Sequence, residues 1–157
     1  MNTILEKEYD TVMKETVEPY LKKHRKSGYI SSYDGIGKIH VMRYLAEEPK
    51  GVIVICHGYT ESAPKYDELV YYFLQAGYHV YLPEHCGHGL SYRLTKDPSL
   101  VHIDNWKRYV RDFLHVCEYI RKKHPDLHLN LFAHSMGGAI GTIAAAWETE
   151  LFQKIIL

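Results

Sequence analysis

Along the first two dozen residues the apolar positions fall at helical spacing. Leu5, Tyr9, Val12, Met13, Val17, Tyr20 and Leu21 share one face, with Lys and Glu on the other. Residues 4–24 are therefore expected to form an amphipathic helix packed on the domain. Pro19 removes a backbone donor inside it and is expected to kink the helix or start a second short one. From Gly28 to Leu45 the pattern changes to strands, Tyr29–Ser32 and Lys38–Tyr44 around Asp34-Gly35-Ile36-Gly37, which predicts an antiparallel hairpin. The run Val52-Ile53-Val54-Ile55-Cys56 is apolar throughout, as suits a strand buried on both faces of a parallel sheet. A helix over 65–76 and a strand Tyr78–Leu82 follow, then a Gly- and His-rich loop from Pro83 to Pro98. A long amphipathic helix is expected over 104–123. Its buried side is marked by Trp106, Tyr109, Val110, Phe113, Leu114, Cys117 and Ile120, and Pro125-Asp126 ends it. A short apolar strand from Leu129, a Gly/Ala-rich helix and a last strand over Gln153–Leu157 complete the series. Strands and helices alternating through short connections predict an α/β fold with a mainly parallel sheet and right-handed crossovers. Sites in such sheets lie at the C-terminal ends of strands, and Ser135 falls at one.

The stretch Leu129-Asn130-Leu131-Phe132-Ala133-His134-Ser135-Met136-Gly137-Gly138 runs from strand to helix through a serine between small residues. That pattern fits a nucleophile elbow, a turn so tight that the residues two before and two after the serine must be small. Ala133 stands where the usual pattern has glycine. The competing reading is a helix N-cap serine. Acyl transfer needs an exposed hydroxyl, a histidine held by a carboxylate, and two N–H donors for the oxyanion. Met136 would supply one donor at a helix start, where the dipole also favours negative charge. The second is expected from the loop after the first central strand, His57-Gly58-Tyr59, with Gly58 allowing a turn that points the Tyr59 N–H inward. His134 and His57 read as structural residues rather than bases. His85, Cys86 and His88, with Glu84 nearby, lack the second cluster that a tetrahedral metal site needs, so no metal is expected.

Composition narrows the classes without choosing among them. Of 157 residues 46% are apolar, and 19 basic side chains balance 19 acidic ones. There is thus no electrostatic reason to expect nucleic acid as a partner. Three cysteines at unrelated spacings point to a reducing compartment rather than a disulfide framework. No stretch has the apolar length of a membrane span. The N-terminus lacks a basic, apolar leader, so the expected location is cytoplasmic, with at most transient contact between the N-terminal helix and a membrane surface.

Three segments carry a family resemblance. They are His57-Gly58-Tyr59-Thr60-Glu61-Ser62, Glu84-His85-Cys86-Gly87-His88-Gly89-Leu90-Ser91, and Ala133-His134-Ser135-Met136-Gly137-Gly138. Together they resemble the α/β-hydrolase fold of serine lipases and esterases, and within it the monoacylglycerol lipase and bacterial lysophospholipase branch. The middle segment is similar to that branch's D-x-x-G-H-G-x-S loop with Glu84 in place of Asp. The stretch Ser91-Tyr92-Arg93-Leu94 through Asp97-Pro98, with His102, Trp106 and Tyr109, looks more like the lysophospholipases. The resemblance implies Ser135 as nucleophile, the Tyr59 and Met136 amides as oxyanion hole, Gly87-His88-Gly89 as a structural brace, a lipid or ester substrate, and no cofactor. It runs from residue 28 to the end, so the chain is expected to divide into a helical segment, 1–27, and the N-terminal part of a hydrolase domain, 28–157. In this fold the triad acid and histidine follow the nucleophile. After Ser135 the sequence holds Glu148 and Glu150 but no His. The expectation is a fold truncated after the strand that follows the elbow helix, inactive by itself and prone to self-association through an open sheet edge. The alternative is a non-catalytic fragment or binding module.

Overall fold

The computed structural model describes residues 3–157. Helical structure starts with a 3-10 turn, Glu6–Glu8, continues as α1 (Tyr9–Val12), widens into a π-helical stretch, Met13–Val17, and finishes as α2 (Glu18–His24). Pro19 lies in the first turn of α2, directly after the wide turn. Proline has no N–H and its ring crowds the carbonyl four residues back, so the helix changes pitch just ahead of it. Val17 and Leu21 are buried as expected, but Leu5 and Tyr9 are exposed. Ile4 anchors this end instead: it packs against the core, and its amide donates to Tyr72 Oη at 2.7 Å.

Strand β1 (Arg25–Ser31) follows α2 without a loop and pairs antiparallel with β2 (Lys38–Tyr44), Arg25 opposite Tyr44. It starts ahead of Gly28 because Arg25, Lys26 and Ser27 are exposed polar residues, invisible to a search for apolar alternation. Then come β3 (Gly51–Cys56), α3 (Asp67–Gln75) after a 3-10 turn, β4 (Tyr78–Pro83), α4 (Lys107–Lys123), β5 (Leu129–Ala133), α5 (Met136–Trp147) and β6 (Lys154–Ile156). The sheet order is β1-β2-β4-β3-β5-β6. β1 pairs antiparallel with β2 and β2 antiparallel with β4, while β4, β3, β5 and β6 run parallel.

Strand β3 shows why its run has no polar position. Val52, Val54 and Cys56 enter a core shared with α4 and α5, while Ile53 and Ile55 enter the opposite core beneath α2 and α3. A central strand covered on both faces needs apolar residues at both parities. The next strands outward repeat this, Tyr81 facing the first core and Val80 and Leu82 the second. At the far edge Ile155, Ile156 and Leu157 are all exposed.

Helix α4 starts at Lys107, later than its apolar pattern suggests, because the Asn105 side chain accepts the Lys107 N–H at 3.0 Å and closes a turn there. Trp106, expected on the buried side, is 52% exposed and packs against Trp147 at 6.3 Å between ring centres. Tyr109, Val110, Phe113, Leu114, Cys117 and Ile120 are buried as expected, and two charged side chains are buried alongside them. Arg108 pairs with Asp104 at 2.7 Å and Asp34 at 2.5 Å. Asp112 accepts from Tyr92 Oη at 2.6 Å and the Tyr33 amide at 2.9 Å. This network ties the β1–β2 turn and the long loop after β4 to α4. No helix among the described residues is long and apolar enough to cross a membrane.

Candidate active site

Parallel pairing places Cys56 beside Ala133, so the loops after β3 and β5 leave the sheet together. The His134 N–H still donates to the Cys56 carbonyl at 3.1 Å. At the next residue the chain turns. Ser135 has φ 55° and ψ −119°, and Met136 already begins α5. A non-glycine residue in that region costs on the order of 1–3 kcal/mol and persists only where its surroundings force it. Here the force comes from both sides. The Gly137 and Gly138 amides bond back to His134 at 2.9 Å and Ser135 at 2.8 Å, and α5 lies so close to β3 that a methyl group on Gly137 would sit 2.6 Å from the His57 carbonyl and overlap that of Cys56. An N-cap serine has extended dihedrals and bonds the first turn through its side chain. Ser135 has neither feature, and its side chain is exposed. The N-cap reading is therefore set aside.

Ala133 is tolerated because α5 gives way opposite it. A Cβ on Gly141 would be 3.4 Å from the Ala133 methyl and 2.8 Å from Leu131. Gly137 and Gly141, one helical turn apart, thus keep one face of α5 flat against β5 and β3. That spacing was visible in the sequence as the signal that an alanine could stand at 133.

The loop after β3 is organised by Glu61, which the sequence reading did not single out. Its carboxylate accepts from the Gly58 amide at 2.7 Å, from Tyr66 Oη and Lys65 Nζ, and contacts His134 Nδ1 at 3.2 Å. Burial alone would raise its pKa, but these bonds outweigh that and hold it down at about 2. Gly58 lies against the Glu61 side chain. A Cβ there would lie 2.9 Å from the Glu61 carboxylate, whereas the positive φ of this loop, 58°, falls on Thr60. Neither the Tyr59 N–H nor the Met136 N–H bonds to an acceptor among the described residues.

The loop after β4 has its own anchor, Glu84. It accepts from His40 Nδ1 at 2.8 Å, the Ala63 amide at 3.0 Å and the Leu90 amide at 2.7 Å. Burial pushes its pKa up, and the two amides and His40 more than reverse this, leaving the carboxyl below its usual range. Gly89 must be glycine, having φ 47° with the Glu84 carboxylate packed where a side chain would begin. Between the loops lie His57, His85 and His88. His57 Nδ1 donates to the Gly58 carbonyl at 2.8 Å and its Nε2 accepts the His85 amide at 2.9 Å. Burial lowers the His57 pKa to about 4 and keeps His85 and His88 low as well, so all three imidazoles are neutral braces near pH 7. No imidazole among the described residues hydrogen-bonds Ser135, and none of their His, Cys, Asp and Glu side chains form a group of three able to hold a metal ion.

Ser135 thus stands in a strained turn between a parallel strand and a glycine-faced helix. The family described as "Serine aminopeptidase, S33" matches residues 47–157. The chain belongs to this α/β-hydrolase family. Lysophospholipase L2 of Escherichia coli is 36% identical over 115 residues, covering 72% of this chain and 34% of that protein. Mouse monoglyceride lipase is 33% identical over 109 residues, covering 69% of this chain and 34% of that protein. The chain thus spans about a third of the length of these relatives. Among solved structures, a thermostable carboxyl esterase from Bacillus coagulans superposes with a TM-score of 0.74 at 22% identity, covering 84% of this chain and 43% of that one. A monoglyceride lipase variant from Saccharomyces cerevisiae gives 0.68 at 21% identity, covering 78% and 39%. The hydrolase fold follows from these, with its antiparallel strands at the N-terminal edge of a mostly parallel sheet.

Proposed function

We propose that this chain carries the nucleophile half of a serine carboxylic-ester hydrolase acting on a lysophospholipid or a monoacylglycerol. The observation that carries the reading is the strained, exposed Ser135 at the end of β5, with φ 55°. In this reading Ser135 sits on a nucleophile elbow and its Oγ attacks the ester carbonyl. The Tyr59 and Met136 amides, both without an acceptor among the described residues, hold the tetrahedral oxyanion, and the alcohol leaves to give an acyl-enzyme. No proton acceptor for Ser135 is assigned among the described residues, since none of their imidazoles hydrogen-bonds it. Residues 28–157 are then the N-terminal part of a hydrolase domain, and residues 1–27, helical to His24, a segment docked on it. The substrate class rests on the names of the two relatives. Location in a reducing cytoplasm rests on the three buried cysteines, and exposed Leu5 and Tyr9 suit a passing contact with a lipid surface.

The test joins residues 1–157 to the remaining C-terminal portion of Escherichia coli lysophospholipase L2 and measures fatty-acid release from lysophospholipid and monoacylglycerol. Release that disappears in Ser135→Ala is expected. A folded chimera whose activity survives that substitution would overturn the assignment. The 157-residue chain alone is expected to hydrolyse a nitrophenyl ester no faster than its Ser135→Ala variant.

The reading also has a consequence for assembly. β6 pairs on one side only, and Ile156 and Phe132 border an apolar groove of about 360 Å³ beside it. An unpaired apolar edge recruits further strands, so the isolated chain is expected to self-associate as its concentration rises. Elution from a sizing column as a monodisperse monomer at every concentration would contradict this.

A further inference from the structure

The loop that carries the Tyr59 amide has little main-chain bonding of its own. Its turn is closed by one long backbone bond, from the Glu61 N–H to the Gly58 carbonyl at 3.4 Å, and Thr60 within it has φ 58°. Side chains fix it instead. The Gly58 carbonyl and the Tyr59 N–H belong to one planar trans peptide unit and point opposite ways. His57 Nδ1 donates to that carbonyl at 2.8 Å, and the Gly58 N–H just before it donates to the Glu61 carboxylate at 2.7 Å. The same carboxylate reaches across to the serine's segment. There it meets Nδ1 of His134, the residue before Ser135, at 3.2 Å. Among the described residues no other hydrogen bond joins residues 57–62 to residues 134–138. Glu61 is itself held in place. It is buried, and it accepts from Tyr66 Oη and Lys65 Nζ, both on the 3-10 turn Ala63–Tyr66 that follows it.

We propose that Glu61 is a positioning residue for ester hydrolysis, fixing the Tyr59 amide relative to Ser135 so that both meet one tetrahedral centre. This rests on the serine-hydrolase reading of Ser135 given above. Glu61 moves no proton and touches no substrate. Its charge works against the reaction, because a carboxylate bonded one residue from the oxyanion donor repels a developing oxyanion. The Lys65 ammonium on the same carboxylate offsets that repulsion. What Glu61 contributes is therefore geometry. Removing an oxyanion donor costs on the order of 100- to 1,000-fold in kcat, and a donor displaced by about 1 Å loses much of the same benefit. A ground-state ester makes no such demand on the donor, so substrate binding is spared.

The test places Glu61→Ala and Glu61→Gln in the chimera with the C-terminal portion of Escherichia coli lysophospholipase L2. It measures kcat, KM and the inhibition constant of an alkyl boronic acid, a mimic of the tetrahedral state on serine. In Glu61→Ala kcat is expected to fall about 100-fold with KM changed less than about threefold, and boronic acid inhibition to weaken in proportion to kcat. Glu61→Gln keeps one acceptor oxygen for the Gly58 amide and is expected to recover about tenfold of that loss. A merely structural role would lower the folded fraction, and kcat with it, but leave the inhibition constant in place. An unchanged inhibition constant, or Glu61→Gln turning over faster than the parent, would overturn the proposal. Turnover that survives Ser135→Ala is a different result, and it sinks the serine reading and this proposal together. Amide exchange in the 157-residue chain reads the anchoring without turnover. The Gly58 N–H is expected to exchange about tenfold faster or more in Glu61→Ala, the worth of a lost charge-assisted hydrogen bond, and an unchanged rate would also overturn the proposal.

Discussion

Gly137→Ala is expected to leave the chain largely unfolded, while Gly138→Ala beside it is expected to do no harm. The two glycines follow one another in the first turn of α5 but face different surroundings. A methyl at 137 would lie 2.5 Å from the Cys56 carbonyl carbon and 2.6 Å from the His57 oxygen. Both belong to backbone at the end of the central strand, which cannot swing aside as a side chain would. Relief would require α5 to lift off β3, and with it the contacts of Ile140 and Ala144 in the core. Overpacking of a core usually costs about 1–3 kcal/mol. Against fixed backbone the cost is expected to exceed about 4 kcal/mol, most of the stability of an ordinary domain. A Cβ at 138 meets nothing within 4 Å, so Gly138→Ala removes only a poor helix former and is expected to gain up to about 1 kcal/mol. Urea unfolding followed by circular dichroism checks both. A Gly137→Ala midpoint close to that of the parent would mean that α5 does not rest on β3 as described.

This contrast bears on what the sequence made legible. The β3 run was readable because a strand buried on both faces leaves no room for a polar residue, and Val52 to Cys56 obey that. The Ser135 turn was readable because close approach of helix and strand demands small residues at fixed distances from the serine. Both rules concern backbone and period, which one stretch of sequence carries by itself. What escaped depends on partners far apart in the chain. Glu61 looks like any loop glutamate until Gly58, Tyr66 and His134 are placed around it. Glu84 gathers Ala63, Leu90 and His40 from three separate segments. Helical phase alone puts Trp106 in the core, but α4 starts after it, and Arg108 and Asp112 are buried beside the expected apolar residues through partners in other segments. At Gly58 the close neighbour is the Glu61 carboxylate, a contact that no local pattern shows. Residues whose role is local were legible, and those that act as hubs between loops were not.

The hubs set the second large expectation, loss of stability in acid in two stages. His57, His85 and His88 have pKa values lowered chiefly by burial, from 6.5 to about 4 for His57. In the unfolded chain they titrate near 6.5, so between that pH and about 4 the unfolded state takes up protons that the native loops refuse. Their contribution is therefore present above pH 6.5 and is lost as the pH falls. Glu84 and Glu61 act at lower pH. Their folded pKa values lie below the ordinary 4.5, that of Glu61 at about 2, so their contribution is complete above 4.5 and is lost as the pH falls through the folded values. Both stages have the same sign, so the share of stability from these five groups declines from pH 7 to pH 3, opposed only by Asp67 and Asp112, whose carboxyls burial pushes up. Glu84→Leu tests the lower stage. It leaves the Ala63 and Leu90 amides and His40 Nδ1 without their acceptor, all inside the protein, at an expected cost of about 3–5 kcal/mol at pH 7. Glu84→Gln keeps one acceptor oxygen but turns an amide NH2 toward donors, so its cost is expected to be smaller, and the Glu84 share of the fall below pH 4.5 should vanish. Chemical unfolding at half-unit pH steps reads all three proteins. A parent whose stability stays flat from pH 7 to pH 5 would show that the three imidazoles are not held neutral between the loops. Glu84→Leu unfolding like the parent at pH 7 would show that the carboxylate does not tie β2, β4 and the flanking loops together.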